Sequence, residues 1–177
     1  MPVFIDDLLS RVEKPARYTG GEMNATTKSF DDADVTFAFC FPDTYEVAMS
    51  HLGMKILYGI LNDLPYALCE RVCMPWTDMR RELKAAGRPL FSLESRHALN
   101  EFDIVGFTLQ YEMSYTNILD MLDMGGIPVR TCDRKESDPF VVAGGPCAFN
   151  PEPLWEFFDC FMIGDGEEIM LEFTDLY

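Results

Sequence analysis

Val35-Thr-Phe-Ala-Phe-Cys-Phe41 is an almost unbroken apolar run of β-forming residues, and its reading decides the fold. A strand with one wet face alternates apolar and polar residues. A run this continuous is a strand buried on both faces, as in a parallel sheet covered by helices. Pro42 ends the run, and Asp43 or Thr44 can cap a helix reaching about Asn62. Val47, Leu52, Ile56, Leu57, Ile60 and Leu61 recur there at three- and four-residue spacing, which predicts the face laid on the sheet. His51 falls inside this predicted helix.

The alternation continues outward. Ala67–Val72 reads as a second strand, and Thr77 caps a helix over Asp78–Ala86 that Gly87 closes. Leu90–Leu93 reads as a brief strand. Phe102–Leu109 is a third long apolar strand, followed by a helix from Ser114 or Tyr115 to Met124 that Gly125-Gly126 closes. Phe140–Ala143 is a fourth strand, Pro151–Phe158 a short helix, Cys160–Ile163 a fifth strand, and a helix runs on from Glu167. Strands alternating with helices imply right-handed crossovers and a parallel sheet. The predicted class is α/β: a three-layer, Rossmann-like or flavodoxin-like, doubly wound and mostly parallel five-stranded sheet. The strands at 35–41, 104–109, 140–143 and 160–163 are expected to be central. Residues 1–30 read as an N-terminal arm, with a short helix near Ile5–Val12 and an extended stretch beyond Pro15, Gly20 and Gly21; residues 31–177 read as the domain.

Composition narrows the partners. The chain has 177 residues and is 48% hydrophobic, enough for a sizeable core. Fourteen Lys+Arg against thirty Asp+Glu leave a net charge of −16, which repels phosphate backbones and anionic membrane surfaces and argues against DNA. No apolar run approaches the roughly 18 residues of a membrane span. The first residues lack a basic start and apolar stretch, so the sequence reads as cytoplasmic. The six cysteines then read as reduced core thiols. Cys69-x3-Cys73 is the one close pair, and with only His51 and His97 beside it no zinc ligand set is complete.

Doubly wound sheets bind ligands beyond the carboxyl ends of their strands. The candidates are therefore Asp43, Tyr45, Glu46 and Ser50 after the first strand, Thr108, Gln110, Tyr111 and Glu112 after the third, and Gly144, Gly145, Pro146 and Asn150 after the fourth. Gly144-Gly145 permits both a tight turn and close approach of a ligand. Tyr45, Tyr111 and Tyr115 can wall a planar ligand or simply pack. His51 can ligate a metal or face a neighbouring loop. Gly164-x-Gly166 opens a helix whose Glu167 and Glu168 suit its positive end and disfavour phosphate. Neither G-x-G-x-x-G, G-x-x-x-x-G-K-[ST] nor G-x-S-x-G occurs, which removes the usual support for dinucleotide, P-loop and serine-hydrolase readings. No residue is identified as catalytic or metal-binding.

Four stretches together carry a resemblance: Arg17-Tyr-Thr-Gly-Gly-Glu-Met-Asn24; Phe41-Pro-Asp-Thr-Tyr-Glu-Val-Ala-Met-Ser-His-Leu-Gly53; Phe102-Asp-Ile-Val-Gly-Phe-Thr-Leu-Gln-Tyr-Glu-Met-Ser-Tyr-Thr-Asn117; and Ala143-Gly-Gly-Pro-Cys-Ala-Phe-Asn-Pro-Glu-Pro153 through Ile163-Gly-Asp-Gly-Glu-Glu168. They resemble the N-terminal domain of radical S-adenosylmethionine (SAM) proteins, in a poorly characterised subfamily with a cobalamin-binding-like Rossmann domain before the radical barrel. The resemblance implies a parent enzyme whose 4Fe–4S cluster and SAM lie in a following barrel. It implies a domain that positions cobalamin or substrate over that barrel, its partner in the same protein, and it leaves RNA or protein substrates open.

Two departures shape the expectation. C-x3-C-x2-C is absent, because Trp76 stands where the third cysteine belongs, so this chain is expected to bind no cluster and do no radical chemistry. It reads as a domain cut from a longer protein. The D-x-H-x-x-G signature of other cobalamin domains also fails, and their S-x-L is Thr108-Leu109-Gln110 here. The readings are a cofactor module, an interaction module that keeps the Rossmann shape but binds no cofactor, and a flavodoxin-like carrier that lacks the usual Ser/Thr-rich phosphate loop. An open cleft beside Gly144 and Gly145 favours the first; a cleft filled by Phe149, Tyr111 or Tyr45 favours the second. A Gly145→Leu change is expected to block a ligand and spare the fold.

Overall fold

The computed structural model describes residues 1–177. Five strands form one all-parallel sheet: β1 (Val35–Phe41), β2 (Ala67–Cys73), β3 (Ile104–Thr108), β4 (Phe140–Gly144) and β5 (Cys160–Phe161), in the order β2-β1-β3-β4-β5. That is the flavodoxin-like order, with its switch point between β1 and β3. Side chains alternate across the sheet. Phe37, Phe39, Ile104 and Val142 share one face, with buried residues of α3 (Leu52–Asp63) and α6 (Gly166–Leu176). Ala38, Cys40, Val105, Phe107, Val141 and Ala143 share the other, with Ile118, Met121 and Leu122 of α5 (Tyr115–Met124). No helix is long and apolar enough to cross a membrane.

Several elements differ from the sequence expectation. The first helix is two: α2 (Tyr45–Ser50), then α3, with His51 between them in extended conformation at φ −80° and ψ 115°. The His51 Nδ1 accepts the Met54 N–H at 3.1 Å, so the imidazole caps α3. A side chain at Gly53 would crowd that ring, because a Cβ there would stand 3.0 Å from His51 Cε1. The break turns the buried face of α3 to Met54, Tyr58 and Leu61. Val47, Leu52 and Ile56, expected on the sheet, are exposed, Leu52 by 69%. Leu90–Leu93 is no strand; Phe91 makes only an isolated bridge to Ala98. Residues 151–158 form turns, and the helical turn falls earlier, at Pro146–Phe149. β5 is a two-residue edge strand and half-buried rather than central.

The opening residues are core material. Val3, Ile5, Leu8, Val12 and Tyr18, around α1 (Asp6–Leu9), pack with Met79 and Leu83 of α4 (Thr77–Ala86) and with Phe91 and Ala98. Gly87 closes α4 in the left-handed conformation, φ 62°.

The outer edge of β2 is sealed by the 93–95 loop. Leu93 N–H donates to the Arg71 carbonyl, the Arg71 N–H to Glu94, and the Ser95 N–H to Glu70. Arg71 is the buried hub of this edge. Its Nε donates to Glu94 at 2.6 Å, a terminal nitrogen to Glu22 at 3.2 Å, and its guanidinium lies 4.6 Å from the centre of the Tyr58 ring. Burial pushes the Glu94 carboxyl up in pKa, and Arg71 opposes the shift. Arg71→Met therefore leaves a buried carboxylate without its counter-charge and is expected to cost about 3–5 kcal/mol in a urea unfolding curve.

A second pair, nearer the surface, gives a pH signature. Arg80 donates two hydrogen bonds to Asp120, and Lys84 adds a third at 3.3 Å. The Arg80 hydrogen bonds hold the Asp120 carboxyl below its ordinary 3.8, against some desolvation. A pKa depressed by folding stabilises above the unfolded value and is lost as pH falls through the folded one. Asp120→Asn is expected to cost up to about 1 kcal/mol at pH 7, and the difference from wild type should close on acidification below 3.8 in paired unfolding curves.

Candidate functional site

A cavity of about 180 Å³ opens at the carboxyl edge, between the sheet and the pair α3 and α6. The strands supply Phe37, Phe39, Gly106, Thr108, Val142 and Gly144; the helices supply Met54, Leu57, Ile169 and Met170. Glycines line it from several sides: Gly53, Gly106, Gly144, Gly145, Gly164 and Gly166. The slot is apolar inside, with His51, Thr108, Gln110 and Glu167 as its polar lining. Thr108 Oγ1 accepts from Gln110 Nε2 at 2.5 Å, which leaves the threonine hydroxyl hydrogen free to donate.

Of the residues picked from sequence, Thr108, Gln110, Gly144 and Gly145 line this slot. Asp43 and Tyr111 meet outside it: the Tyr111 hydroxyl donates to Asp43 at 3.2 Å, and the Asp43 charge raises the tyrosine pKa. Tyr45 and Glu46 face the opening segment of the chain instead. Tyr45 donates to Glu22 at 3.0 Å, and burial with that carboxylate pushes its pKa up to about 12. Arg17 donates to Glu46 at 2.9 Å and holds its carboxyl below the usual range. Ser50 donates to the Val47 carbonyl in its own helix. Glu112, Pro146 and Asn150 are exposed and outside the slot.

The two glycines after β4 play different parts. Gly145 has φ 101°, and a Cβ there would stand 3.0 Å from the Leu109 carbonyl oxygen and 3.1 Å from its nitrogen. It lets the ends of β3 and β4 close, through Leu109 N–H to the Gly144 carbonyl and Cys147 N–H to the Leu109 carbonyl. A Gly145→Leu change thus strikes the backbone, and the expectation that it spares the fold does not survive this geometry. Gly144 shares the slot face of β4 with Val142, and a Cβ there would meet nothing nearer than 3.8 Å. It is the position where an added side chain enters the slot without strain.

The place of His51 in the slot wall, and the slot's second wall, were not legible in the sequence, for two reasons. The helix break reorients α3, and α6 reaches the slot only through the β5 crossover. The Gly164-x-Gly166 pattern was the visible signal. Gly166 brings α6 against α3, a Cβ there lying 3.3 Å from Leu57. His51 also makes a poor metal ligand. Its Nδ1 accepts from Met54 N–H, so a metal on Nε2 would force a proton onto Nδ1 and break the cap. No three His, Cys, Asp or Glu side chains lie close enough to hold an ion. Cys69 and Cys73 are four residues apart on one strand, about 13 Å along β2.

With this geometry in hand, comparison with known proteins places the class. The model of the radical SAM protein N-terminal family matches residues 53–177. The chain belongs to that family of N-terminal domains. It is 34% identical over 140 residues to Uncharacterized protein MJ0966 of Methanocaldococcus jannaschii, across 76% of this chain and 25% of the relative. The match thus spans a quarter of the relative's length. No solved structure matches.

Three substitutions separate structure from site. Gly145→Ala is expected to cost about 1–3 kcal/mol for its strained backbone, and His51→Ala about 1 kcal/mol for the lost cap. Gly144→Ala should leave stability unchanged or slightly raised, within about 1 kcal/mol. Chemical denaturation of the three variants checks the order.

Proposed function

We propose that this domain is the corrinoid-holding N-terminal module of a radical SAM enzyme, with the flat base-bearing tail of a cobalamin in the slot and its ring outside, across the carboxyl edge. The observation that carries the reading is an open, glycine-framed apolar slot beside the switch point that none of Phe149, Tyr111 or Tyr45 fills. Phe149 is 71% and Tyr111 44% exposed. The volume sets the pose. About 180 Å³ falls below the 300–1,000 Å³ of a whole small-molecule site, so only part of a cofactor enters.

The chain's own residues would do the holding. Gly144 lets the ligand approach the end of β4, Thr108 donates its hydroxyl, and Gln110 and Glu167 can accept from peripheral carboxamides. The bound corrinoid supplies a cobalt centre that can carry an alkyl group. His51 would stay on α3 as its cap and would not serve as a ligand to the group. The 4Fe–4S cluster and SAM belong to a barrel elsewhere in the parent, a cytoplasmic protein in this reading. The charge of −16 favours a polypeptide over an RNA as the parent's substrate. The engagement of His51 also suits the second reading, a module that keeps the Rossmann shape without cofactor.

Titration with hydroxocobalamin, followed by absorbance, tests the proposal. Wild type should bind, and Gly144→Leu should lose at least tenfold, about 1.4 kcal/mol. His51→Ala should stay within tenfold, and cobinamide, which lacks the tail, should bind at least tenfold more weakly than cobalamin. No binding by folded wild type would turn the assignment to the cofactor-free module.

A further inference from the structure

The loops that follow β1, β3 and β4 lie side by side at the carboxyl edge of the sheet. With strands about 4.8 Å apart, they span about 10 Å. On the α5 side, away from the slot, this stretch of edge leaves three large side chains in solvent. Tyr111, Met113 and Phe149 are exposed by 44%, 84% and 71%, while Ser114 and Ala148 beside them are buried. Single exposed apolar residues are ordinary on a protein surface, but three on adjoining loops mark a contact face.

The charge on this face has one sign. Residues 42–51, 109–117 and 145–153 contain Asp43, Glu46, Glu112 and Glu152, and none of the chain's fourteen Lys and Arg. Arg17 and Lys14 reach Glu46 from the opening segment. No cation of the chain pairs with Asp43, Glu112 or Glu152. A partner that covers the face without positive charge would desolvate these carboxylates and leave them uncompensated.

The neighbouring loop shows what such a face holds. The Arg17 guanidinium lies 5.1 Å from the centre of the Trp76 ring and donates to Glu46 at 2.9 Å. Ring face and carboxylate together attract a guanidinium, one by its quadrupole and the other by its charge. Tyr111 and Asp43 offer the same pair of groups. The Tyr111 hydroxyl donates to Asp43 at 3.2 Å, which fixes the ring beside the carboxylate. The rings that carry an arginine of the chain are Trp76, Tyr58, Phe4 and Phe157, and Tyr111 is not among them. Asp43 also accepts the Thr44 N–H at 2.6 Å. A carboxylate has about four acceptor sites, so room for a guanidinium remains.

We propose that this face docks a polypeptide segment in which arginine alternates with apolar residues. One arginine lies on Tyr111 and Asp43, and the apolar side chains rest against Met113 and Phe149. Arginine fits the pair better than lysine, because a flat guanidinium stacks and hydrogen-bonds at once. The face is separate from the slot, and the inference stands whether or not a corrinoid occupies the slot.

Calorimetric titration with a peptide of repeated Arg-Gly-Leu-Gly units tests the proposal. Repeats of Lys-Gly-Leu-Gly, Arg-Gly-Ser-Gly and Glu-Gly-Leu-Gly, of equal length, are the comparisons. The first peptide should bind at least tenfold more tightly than the serine and glutamate peptides, and at least threefold more tightly than the lysine peptide. Tyr111→Leu, checked for folding by circular dichroism, should erase the preference for arginine, and Phe149→Ser should reduce the preference for leucine. Glu112→Gln with Glu152→Gln should weaken binding at least threefold. Asp31→Asn with Asp32→Asn removes the same charge just before the amino end of β1 and should leave binding unchanged. Gly144→Leu, in the slot, should also leave it unchanged.

Equal weakening by the two double variants would reduce the binding to attraction by net charge and overturn the proposal. So would equal binding of the arginine and lysine peptides, an undiminished arginine preference in folded Tyr111→Leu, or loss of the peptide in Gly144→Leu. If Tyr111→Leu does not fold, the two double variants decide. A dimer of the chain that Phe149→Ser dissolves would give the face to a second copy. Failure of the full-length parent to bind the peptide would give it to the parent's own barrel. Either result would overturn the assignment. Peptide binding without cobalamin binding would keep this inference and remove the corrinoid reading, and the opposite pair of results would do the reverse.

Discussion

Glycine keeps the sheet face beneath α3 and α6 clear at the positions where strands β3 and β4 would otherwise fill the space. At Gly106 the missing Cβ admits the Phe37 ring, at Gly144 it leaves the mouth open, and at Gly166 it lets the second helix approach Leu57. Interiors pack densely, and a hole of about 180 Å³ in so small a domain forfeits contacts on every wall. Of these positions only Gly144 has room for a side chain that would fill the slot; at Gly106 and Gly166 it would meet Phe37 and Leu57. The glycines at these positions make the slot a built feature of the fold.

The rest of the carboxyl edge is arranged around that constraint. Gly145 joins the ends of β3 and β4 so closely that Thr108 and Gly144 become neighbours across the ladder. His51 ends one helix and starts the next, so that Met54 turns inward and Leu52 outward. The imidazole is spent on capping, and the same bond sets its tautomer. What looked like a candidate metal ligand is part of the wall.

The carboxylates divide the same way. Glu22, Glu46 and Glu94 serve Arg71 and Arg17 and fasten the opening segment to the β2 side of the sheet. Asp120 and Asp7 answer Arg80 and Arg88. Glu46 and Tyr45 follow the first strand in sequence, as binding residues would, but their side chains point to the arm. Proximity to a strand end was a sound guide to the loops and a weak guide to which side chains turn toward the slot.

The continuous apolar runs at 35–41 and 104–108 determined a sheet buried on both faces, and their spacing determined helical crossovers and hence parallel strands. These are local signals, set by burial and by chain direction, so the sequence carries them without knowledge of neighbours. The family resemblance was legible for the same reason, because it resides in short segments at the strand ends. Strand order, the helix break and the lining of the slot were decided only by the tertiary structure. Periodicity treats residues 45–62 as one helix because it cannot see an imidazole taking the place of a backbone carbonyl. Nor can it see that Phe37 rests on Gly106, a contact between residues far apart in the chain that exists only once β1 and β3 are paired.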